Sequence, residues 1–209
     1  MVVLPDADVD SLIDGATIGI FFNAGQSCMA GSRLIVHESL YDRVVAGIAV
    51  RAKAIRVGSG FDTETQIGPL ISEAQLSKVC RYIDEGKRAG AKLHAGGHRV
   101  GERGYFVAPT IFGGADPSMS IMREEIFGPV LGVMSYATQD PEEIAALAND
   151  PTYGLAASIW TRDVASAHQL VGLMRAGQVW VNAHHVGGGS AGRRLAPVWL
   201  GTRERSRGR

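Results

Sequence analysis

Hydrophobic residues in the first half of the chain recur at the spacing of amphipathic helices. This spacing predicts a helix that ends near Phe22, a second helix that opens with a capping pattern at Ser39, and a third that opens with one at Ser72. Residues 32–36, between the first two helices, are typical of a short strand. Cys28 is therefore predicted to lie in a loop that joins a helix to a strand.

The second half of the chain alternates between strand-like and helix-like segments. Short runs rich in hydrophobic residues are followed by amphipathic stretches. In order, these segments are 130–136, 142–149, 156–160, 164–176 and 178–182. Such alternation predicts an α/β fold, with a largely parallel sheet and flanking helices. We predict one domain over residues 1–186, because the periodic pattern stops where a Gly/Arg-rich tail, residues 187–209, begins.

That tail differs in composition from the rest of the chain. It carries many glycines and six arginines and can bury little surface. We therefore predict that it is disordered or is the product of a shifted reading frame. Since neither a binding fold nor interleaved aromatic residues accompany the arginines, no nucleic-acid partner is predicted.

The overall composition narrows the class of protein. The chain has 209 residues, of which 45% are hydrophobic and 20% charged, and its formal net charge is zero. These values are typical of a soluble globular domain. No apolar run approaches the roughly 18 residues that a membrane helix needs, and the first residues do not resemble a signal peptide. The prediction is a cytoplasmic protein with no membrane partner.

Two cysteines and a pair of histidines are candidates for chemistry. Cys28 and Cys80 are too few for a disulfide framework, so reduced thiols are expected. Cys80 falls on the apolar face of its predicted helix and is predicted to belong to the core. His184 and His185 have no further ligand nearby, so no metal site is predicted. Glycines on both sides of Cys28 would let a ligand approach, yet the residues alone leave open a reactive thiol or a small buried one.

Several segments resemble the motifs of one enzyme family. Residues 21–33, Phe-Phe-Asn-Ala-Gly-Gln-Ser-Cys-Met-Ala-Gly-Ser-Arg, resemble the active-site cysteine motif of the aldehyde dehydrogenases. Residues 124–130, Glu-Glu-Ile-Phe-Gly-Pro-Val, resemble the second signature of that family. The shorter segments 67–70, 105–110 and 154–157 resemble further motifs of the family and occur in the expected order along the chain. The likeness extends over residues 1–186.

This resemblance implies the oxidation of an aldehyde to a carboxylic acid with NAD or NADP. It implies that the Cys28 thiolate forms a thiohemiacetal with the aldehyde and that loss of hydride leaves a thioester for water to hydrolyse. Glu125 would accept hydrogen bonds from the nicotinamide ribose, and Phe127 would pack beside the nicotinamide. Gln75 and Lys78 fall at family positions near the adenine-side ribose.

Three more residues are implied as neighbours of the active site. Ser27 and Met29 flank the cysteine, and Asn182 ends a Val-Trp-Val-Asn segment that the family places near the site. The Asn182 side chain is equally suited to hydrogen bonding at a strand end.

The resemblance also implies that part of the catalytic apparatus precedes Met1. In the family, the water-activating glutamate, the oxyanion asparagine and the dinucleotide-binding domain come earlier. We therefore predict that this chain alone binds NAD or NADP weakly or not at all and turns over little aldehyde. Two alternatives stay open. The chain could be a non-catalytic partner of a full-length relative, or a hydrolase or acyltransferase that pairs Cys28 with His37. As a partner, a second copy of the chain (a homo-oligomer) or a full-length relative is predicted.

Overall fold

The strands of the protein form one mixed sheet. The structure is a computed structural model, and it describes residues 1–184. The strands are β1 (Val2–Val3), β2 (Arg33–His37), β3 (Lys92–Ala95), β4 (Thr110–Gly113), β5 (Val130–Tyr136), β6 (Ala156–Trp160) and β7 (Gln178–Val181). They lie in the order β3-β4-β5-β2-β1-β6-β7, and every neighbouring pair is parallel except β3 with β4. The predicted α/β fold with a largely parallel sheet is confirmed, whereas the predictions for residues 187–209 lie outside the described part.

Helices connect most of these strands. They are α1 (Val9–Phe21), α2 (Glu38–Ala54), α3 (Glu73–Arg88), α4 (Ser120–Arg123), α5 (Pro141–Asn149) and α6 (Val164–Leu173). The predicted cap of α3 is confirmed, since Ser72 Oγ accepts a hydrogen bond from Gln75 N at 3.2 Å. The predicted cap of α2 at Ser39 is wrong. Because β2 runs into α2 without a turn, the last strand residue, His37, is the cap, and its Nδ1 accepts from Ser39 N at 3.3 Å.

The core lies on both faces of the central strands. Residues 130–134 of β5 and 34–37 of β2 are buried in succession, and successive strand residues point to opposite faces. Helices therefore cover both sides, as a parallel sheet requires. Cys80, predicted to be a core residue, is only half-buried at the border of this core, and burial raises the pKa of its thiol.

The carboxyl ends of β1 and β6 are joined by Asp6. Its carboxylate accepts hydrogen bonds from Thr161 Oγ1 at 2.7 Å and from the backbone N–H groups of Arg162 and Asp163, each at 2.9 Å. These hydrogen bonds tie the carboxyl ends of β1 and β6 together. Across residues 1–184, every helix is too short or too polar to span a lipid bilayer.

Candidate active site around Cys28

Three loops meet at the edge of the sheet where β2, β5 and β6 begin. Because these strands are parallel, the segments that precede them reach the same edge. They form a pocket whose walls bring Cys28 together with Glu125 and Phe127. Open parallel sheets usually bind ligands beyond the carboxyl ends of their strands. This pocket lies at the amino ends, so its position could not be derived from the fold class alone.

The chain takes a left-handed turn just before Cys28. Asn23, Ala24 and Gly25 have φ angles of 51°, 54° and 69°, a conformation that costs a residue with a side chain roughly 1–2 kcal/mol. Gly25 also lies against the neighbouring loop, because a Cβ placed there would be 2.1 Å from the carbonyl oxygen of Gly128. The close approach requires glycine at position 25, and the backbone angle favours it.

Gln26 fixes the turn from two directions. Its backbone N–H donates to the carbonyl oxygen of Asn23 at 3.0 Å. Its side chain accepts from Ile71 N at 2.8 Å and donates to the carbonyl oxygen of Pro69 at 3.4 Å. These hydrogen bonds hold the strained turn to the loop before α3, and they offset part of its conformational cost.

Cys28 is exposed within a tight turn. The carbonyl oxygen of Ser27 accepts from Ala30 N at 3.0 Å, and Ser27 Oγ accepts from Met29 N at 3.3 Å. Of the two flanking residues predicted to neighbour the site, Ser27 lines the pocket and Met29 does not. Within residues 1–184 the backbone N–H of Cys28 has no hydrogen-bond acceptor. A nucleophile beside its own free N–H can stabilise an oxyanion on the carbon that it attacks.

Helix α3 holds the second wall of the pocket, residues 124–127. Gln75 Nε2 donates to two carbonyl oxygens of this wall, including that of Phe127 at 2.8 Å. Phe127 has a φ of 58°, so the hydrogen bond stabilises a strained residue. The Tyr82 hydroxyl donates to Glu124 Oε2 at 2.6 Å, and this bond, together with burial, raises the pKa of Tyr82 to about 12.

The residues predicted to bind a cofactor lie in two places. Glu125 and Phe127 line the pocket, and the exposed carboxylate of Glu125 has no hydrogen-bond or ion-pair partner in the described part of the chain. Gln75 and Lys78 do not line it. Gln75 supports the wall from α3, and Lys78 Nζ lies 6.0 Å from the centre of an aromatic ring on the same helix. The structure therefore gives Gln75 a supporting role within this chain.

A pair of substitutions on α3 tests that role. Gln75→Ala is expected to lower the free energy of unfolding by about 2 kcal/mol, because two backbone carbonyl groups lose their donor. Lys78→Ala, one helical turn later, serves as the control and is expected to change it by less than about 0.5 kcal/mol. Urea denaturation measures both values. Equal losses in the two variants would show that Gln75 does not support the wall.

Asn182 and His37 lie at the carboxyl ends of β7 and β2, away from the pocket at the amino ends. The Asn182 side chain accepts from Thr161 N at 3.0 Å and donates to Thr161 O at 2.8 Å, so it joins the ends of β7 and β6. This placement favours the strand-end role of Asn182 over the active-site role.

His37 ends β2, and its Nδ1 is 2.8 Å from Ser39 Oγ, whereas Cys28 precedes the start of β2. A strand of five residues spans about 15 Å, so the two residues lie at opposite ends of β2, which argues against a catalytic pair.

Two residues that shape the pocket were not singled out by the sequence. Gln26 lies inside the Cys28 motif but was given no role. Tyr82 follows Gln75 by two helical turns, so both lie on one face of α3. The spacing of Gln75 and Tyr82 is the one sequence signal for this role. It cannot be interpreted without the structure, which shows that the segment 124–127 packs against this face of α3.

No cluster of side chains suited to a metal ion occurs among residues 1–184.

Comparison with known proteins gives a consistent likeness. The sequence model of the aldehyde dehydrogenase family matches residues 1–193. The mitochondrial aldehyde dehydrogenase of Homo sapiens is 44% identical over 187 residues, which are 90% of this chain and 36% of that protein. The betaine aldehyde dehydrogenase of Brucella anthropi is 43% identical over 190 residues, 89% of this chain and 39% of that protein.

Solved structures agree with the sequence comparison. The NAD+ complex of an aldehyde dehydrogenase from Bacillus cereus superimposes with a TM-score of 0.86 at 42% identity, and the match covers 89% of this chain and 38% of that one. The NAD-dependent aldehyde dehydrogenase from Sinorhizobium meliloti gives a TM-score of 0.85 at 42% identity, with 89% and 37% covered. The chain thus spans well under half the length of these relatives.

Proposed function

Because this chain belongs to the aldehyde dehydrogenase family, we propose that it carries the nucleophile and part of the cofactor site of an enzyme that oxidises an aldehyde to a carboxylic acid with NAD+. The observation that supports this most directly is the pocket itself. Within residues 1–184, an exposed thiol whose backbone N–H has no acceptor shares it with a carboxylate that has no partner and with an aromatic ring. NAD+ rather than NADP is proposed because solved relatives are described as NAD-dependent or in complex with NAD+.

The residues of the pocket fit a nicotinamide nucleotide. Glu125 offers an acceptor-only carboxylate with no partner in residues 1–184, which suits the donor hydroxyls of a ribose. Phe127 lies beside it and offers an apolar surface for a flat ring. When bound, NAD+ supplies a two-electron acceptor that takes the aldehyde hydrogen as hydride.

The side chain of Cys28 performs the covalent chemistry. Its thiolate adds to the aldehyde carbon, so that a C–S bond forms and the carbonyl electron pair moves to oxygen. The backbone N–H of Cys28 donates to that oxyanion. Once the hydrogen has left with its electron pair, the C=O bond re-forms and the carbon is held as a thioester. Water then adds to this carbon, the C–S bond breaks, and the carboxylic acid leaves while Cys28 regains its thiolate and the remaining proton of the water passes to solvent.

A competition between the two thiols of the chain tests this proposal. Iodoacetamide is expected to alkylate Cys28 at least about 10-fold faster than Cys80, because Cys28 is exposed and burial raises the pKa of the Cys80 thiol. A saturating aliphatic aldehyde is expected to slow the alkylation of Cys28 and leave Cys80 unaffected, since the thiohemiacetal consumes the nucleophile. Peptide mapping by mass spectrometry measures both rates in one sample.

The controls are single substitutions of each thiol. Cys80→Ser should leave the rate at Cys28 and its protection by aldehyde unchanged. Equal rates at the two cysteines, or protection of both by the aldehyde, would argue against Cys28 as the nucleophile.

Association of the chain with a second copy or with a full-length relative stays a prediction, as does a cytoplasmic location. The proposed substrate is an aldehyde in general. The pocket walls within residues 1–184 carry both polar and apolar groups and so favour no particular aldehyde. The alternative of a cysteine hydrolase built on His37 is not proposed, since β2 separates that residue from the thiol.

A further inference from the structure

We propose that His184 is a positioning residue for the nucleophile loop, residues 27–30, and that it acts by holding the backbone carbonyl of Met29. This inference deepens the proposed function and rests on Cys28 being the nucleophile. From the sequence, His184 is predicted only not to belong to a metal site. The structure places its ring under the loop, within hydrogen-bond distance of the residue that follows the cysteine.

The hydrogen bonds of the ring define its tautomer. His184 Nε2 is 2.8 Å from the carbonyl oxygen of Met29, and a carbonyl can only accept, so Nε2 carries a proton. His184 Nδ1 is 3.0 Å from Ser158 Oγ, and Trp160 Nε1 donates to the same Oγ at 3.2 Å. In the neutral ring, the Ser158 hydroxyl therefore donates to Nδ1. Three side chains then form one directed chain from the centre of β6 to the nucleophile loop.

Packing leaves the ring little freedom to leave this position. His184 is buried, with 5% of its surface exposed. A Cβ on Gly19 would lie 2.8 Å from the ring, and a Cβ on Gly31 would lie 3.0 Å from Nε2. The edge of the Trp180 ring closes another side, with the ring centres 5.2 Å apart. The absence of side chains at both glycines thus creates the space that the histidine fills.

The anchored carbonyl belongs to the turn that presents the thiol. Ser27 O accepts from Ala30 N at 3.0 Å, which closes the turn at its base, and Gly31 N donates to Gly19 O at 3.0 Å just beyond it. The bond from His184 to Met29 is a further restraint, and it acts within the turn itself. It thereby sets where the Cys28 thiol and the Cys28 N–H stand against the wall at 124–127.

Two substitutions at one position separate the donor from the bulk of the ring. Glutamine has an amide N–H that can reach the place of Nε2, so His184→Gln is expected to keep the alkylation rate of Cys28 within about threefold of the parent. Leucine fills space but cannot donate, so His184→Leu is expected to slow it by about 10-fold, since small displacements of a reacting group have large effects on rate. Ser158→Ala, which keeps the ring but removes the hydroxyl that fixes its tautomer, is expected to give a smaller loss of about threefold.

The rate at Cys80 in the same samples reports on the fold. A general loss of structure would raise the alkylation of the half-buried Cys80, whereas loss of positioning would change Cys28 alone. Equal Cys28 rates in the parent, His184→Leu and Ser158→Ala would overturn the inference about His184, and so would a loss in His184→Gln as large as that in His184→Leu. If the parent itself shows no preference for Cys28, the proposed function fails instead.

Discussion

The chain is expected to release a burst of 4-nitrophenolate from 4-nitrophenyl acetate, and replacing Cys28 with serine is expected to abolish that burst. An activated ester can acylate the thiol without a hydride acceptor, so this reaction isolates the nucleophile from the cofactor. A serine hydroxyl is a much weaker nucleophile than a thiolate, so the initial rate should fall by about 10³-fold, which corresponds to roughly 4 kcal/mol in activation free energy. Stopped-flow absorbance of the phenolate measures the burst.

The burst amplitude identifies the residue that is acylated. One equivalent per chain is expected for the parent and for Cys80→Ser, and none for Cys28→Ser. Because Cys28 is exposed, thermal unfolding of the serine variant should match that of the parent. A burst that survives in Cys28→Ser, or disappears in Cys80→Ser, would show that another group carries the acyl chemistry.

The second large effect is expected from Gly25→Ala. Alanine at a φ of 69° is strained, and its Cβ would lie 2.1 Å from the carbonyl oxygen of Gly128. Gly128 cannot retreat, because its own Cα is packed so closely on α3 that a Cβ there would be 2.4 Å from Val79 Cγ2. We expect a loss of about 4 kcal/mol in the free energy of unfolding and a fall in Tm of about 10 °C. The burst should also be lost, since the two walls of the pocket must separate.

Gly68→Ala provides the matched control, because Gly68 precedes Pro69, whose carbonyl oxygen accepts a hydrogen bond from Gln26 of the turn. A Cβ at Gly68 would meet no heavy atom within 4 Å, and its φ is not in the left-handed region. Its Tm is expected to stay within about 2 °C of the parent. If Gly25→Ala melted as close to the parent as this control does, the contact between the two pocket walls would not be essential to the fold.

Much of the fold could be predicted from periodicity. The strand at 156–160 and the end of α1 are predicted by the hydrophobic pattern, because hydrophobic residues recur along a helix or strand in the way that its geometry requires. Strands β1, β3 and β4 were not predicted. The first has two residues, too few for any period, and β3 has two exposed residues out of four. Such strands are defined by their neighbours in the sheet rather than by their own residues.

The site was less accessible to physical reasoning from the sequence. Cys28, Glu125 and Phe127 were joined only by their resemblance to family motifs, because no local pattern shows that two loops so far apart in the chain share a pocket. The sequence predicts no metal site at His184, because a histidine ligand needs partners nearby in the sequence or in the fold. In the structure its partner is the backbone carbonyl of Met29. Because every residue has such a carbonyl, this contact cannot be predicted from residue types.

The pocket at the amino edge has a consequence for folding. Its walls come from segments before β2, β5 and β6, and the whole of α2, α3, β3 and β4 lies between the first and the second of these. Contacts between such distant segments form late, after the cost in loop entropy has been met. A folding intermediate with complete helices would therefore still display Cys28 as an ordinary thiol. The reactivity proposed for Cys28 should emerge only when the central strands are in register, so the rate of its alkylation would report on the assembly of those strands.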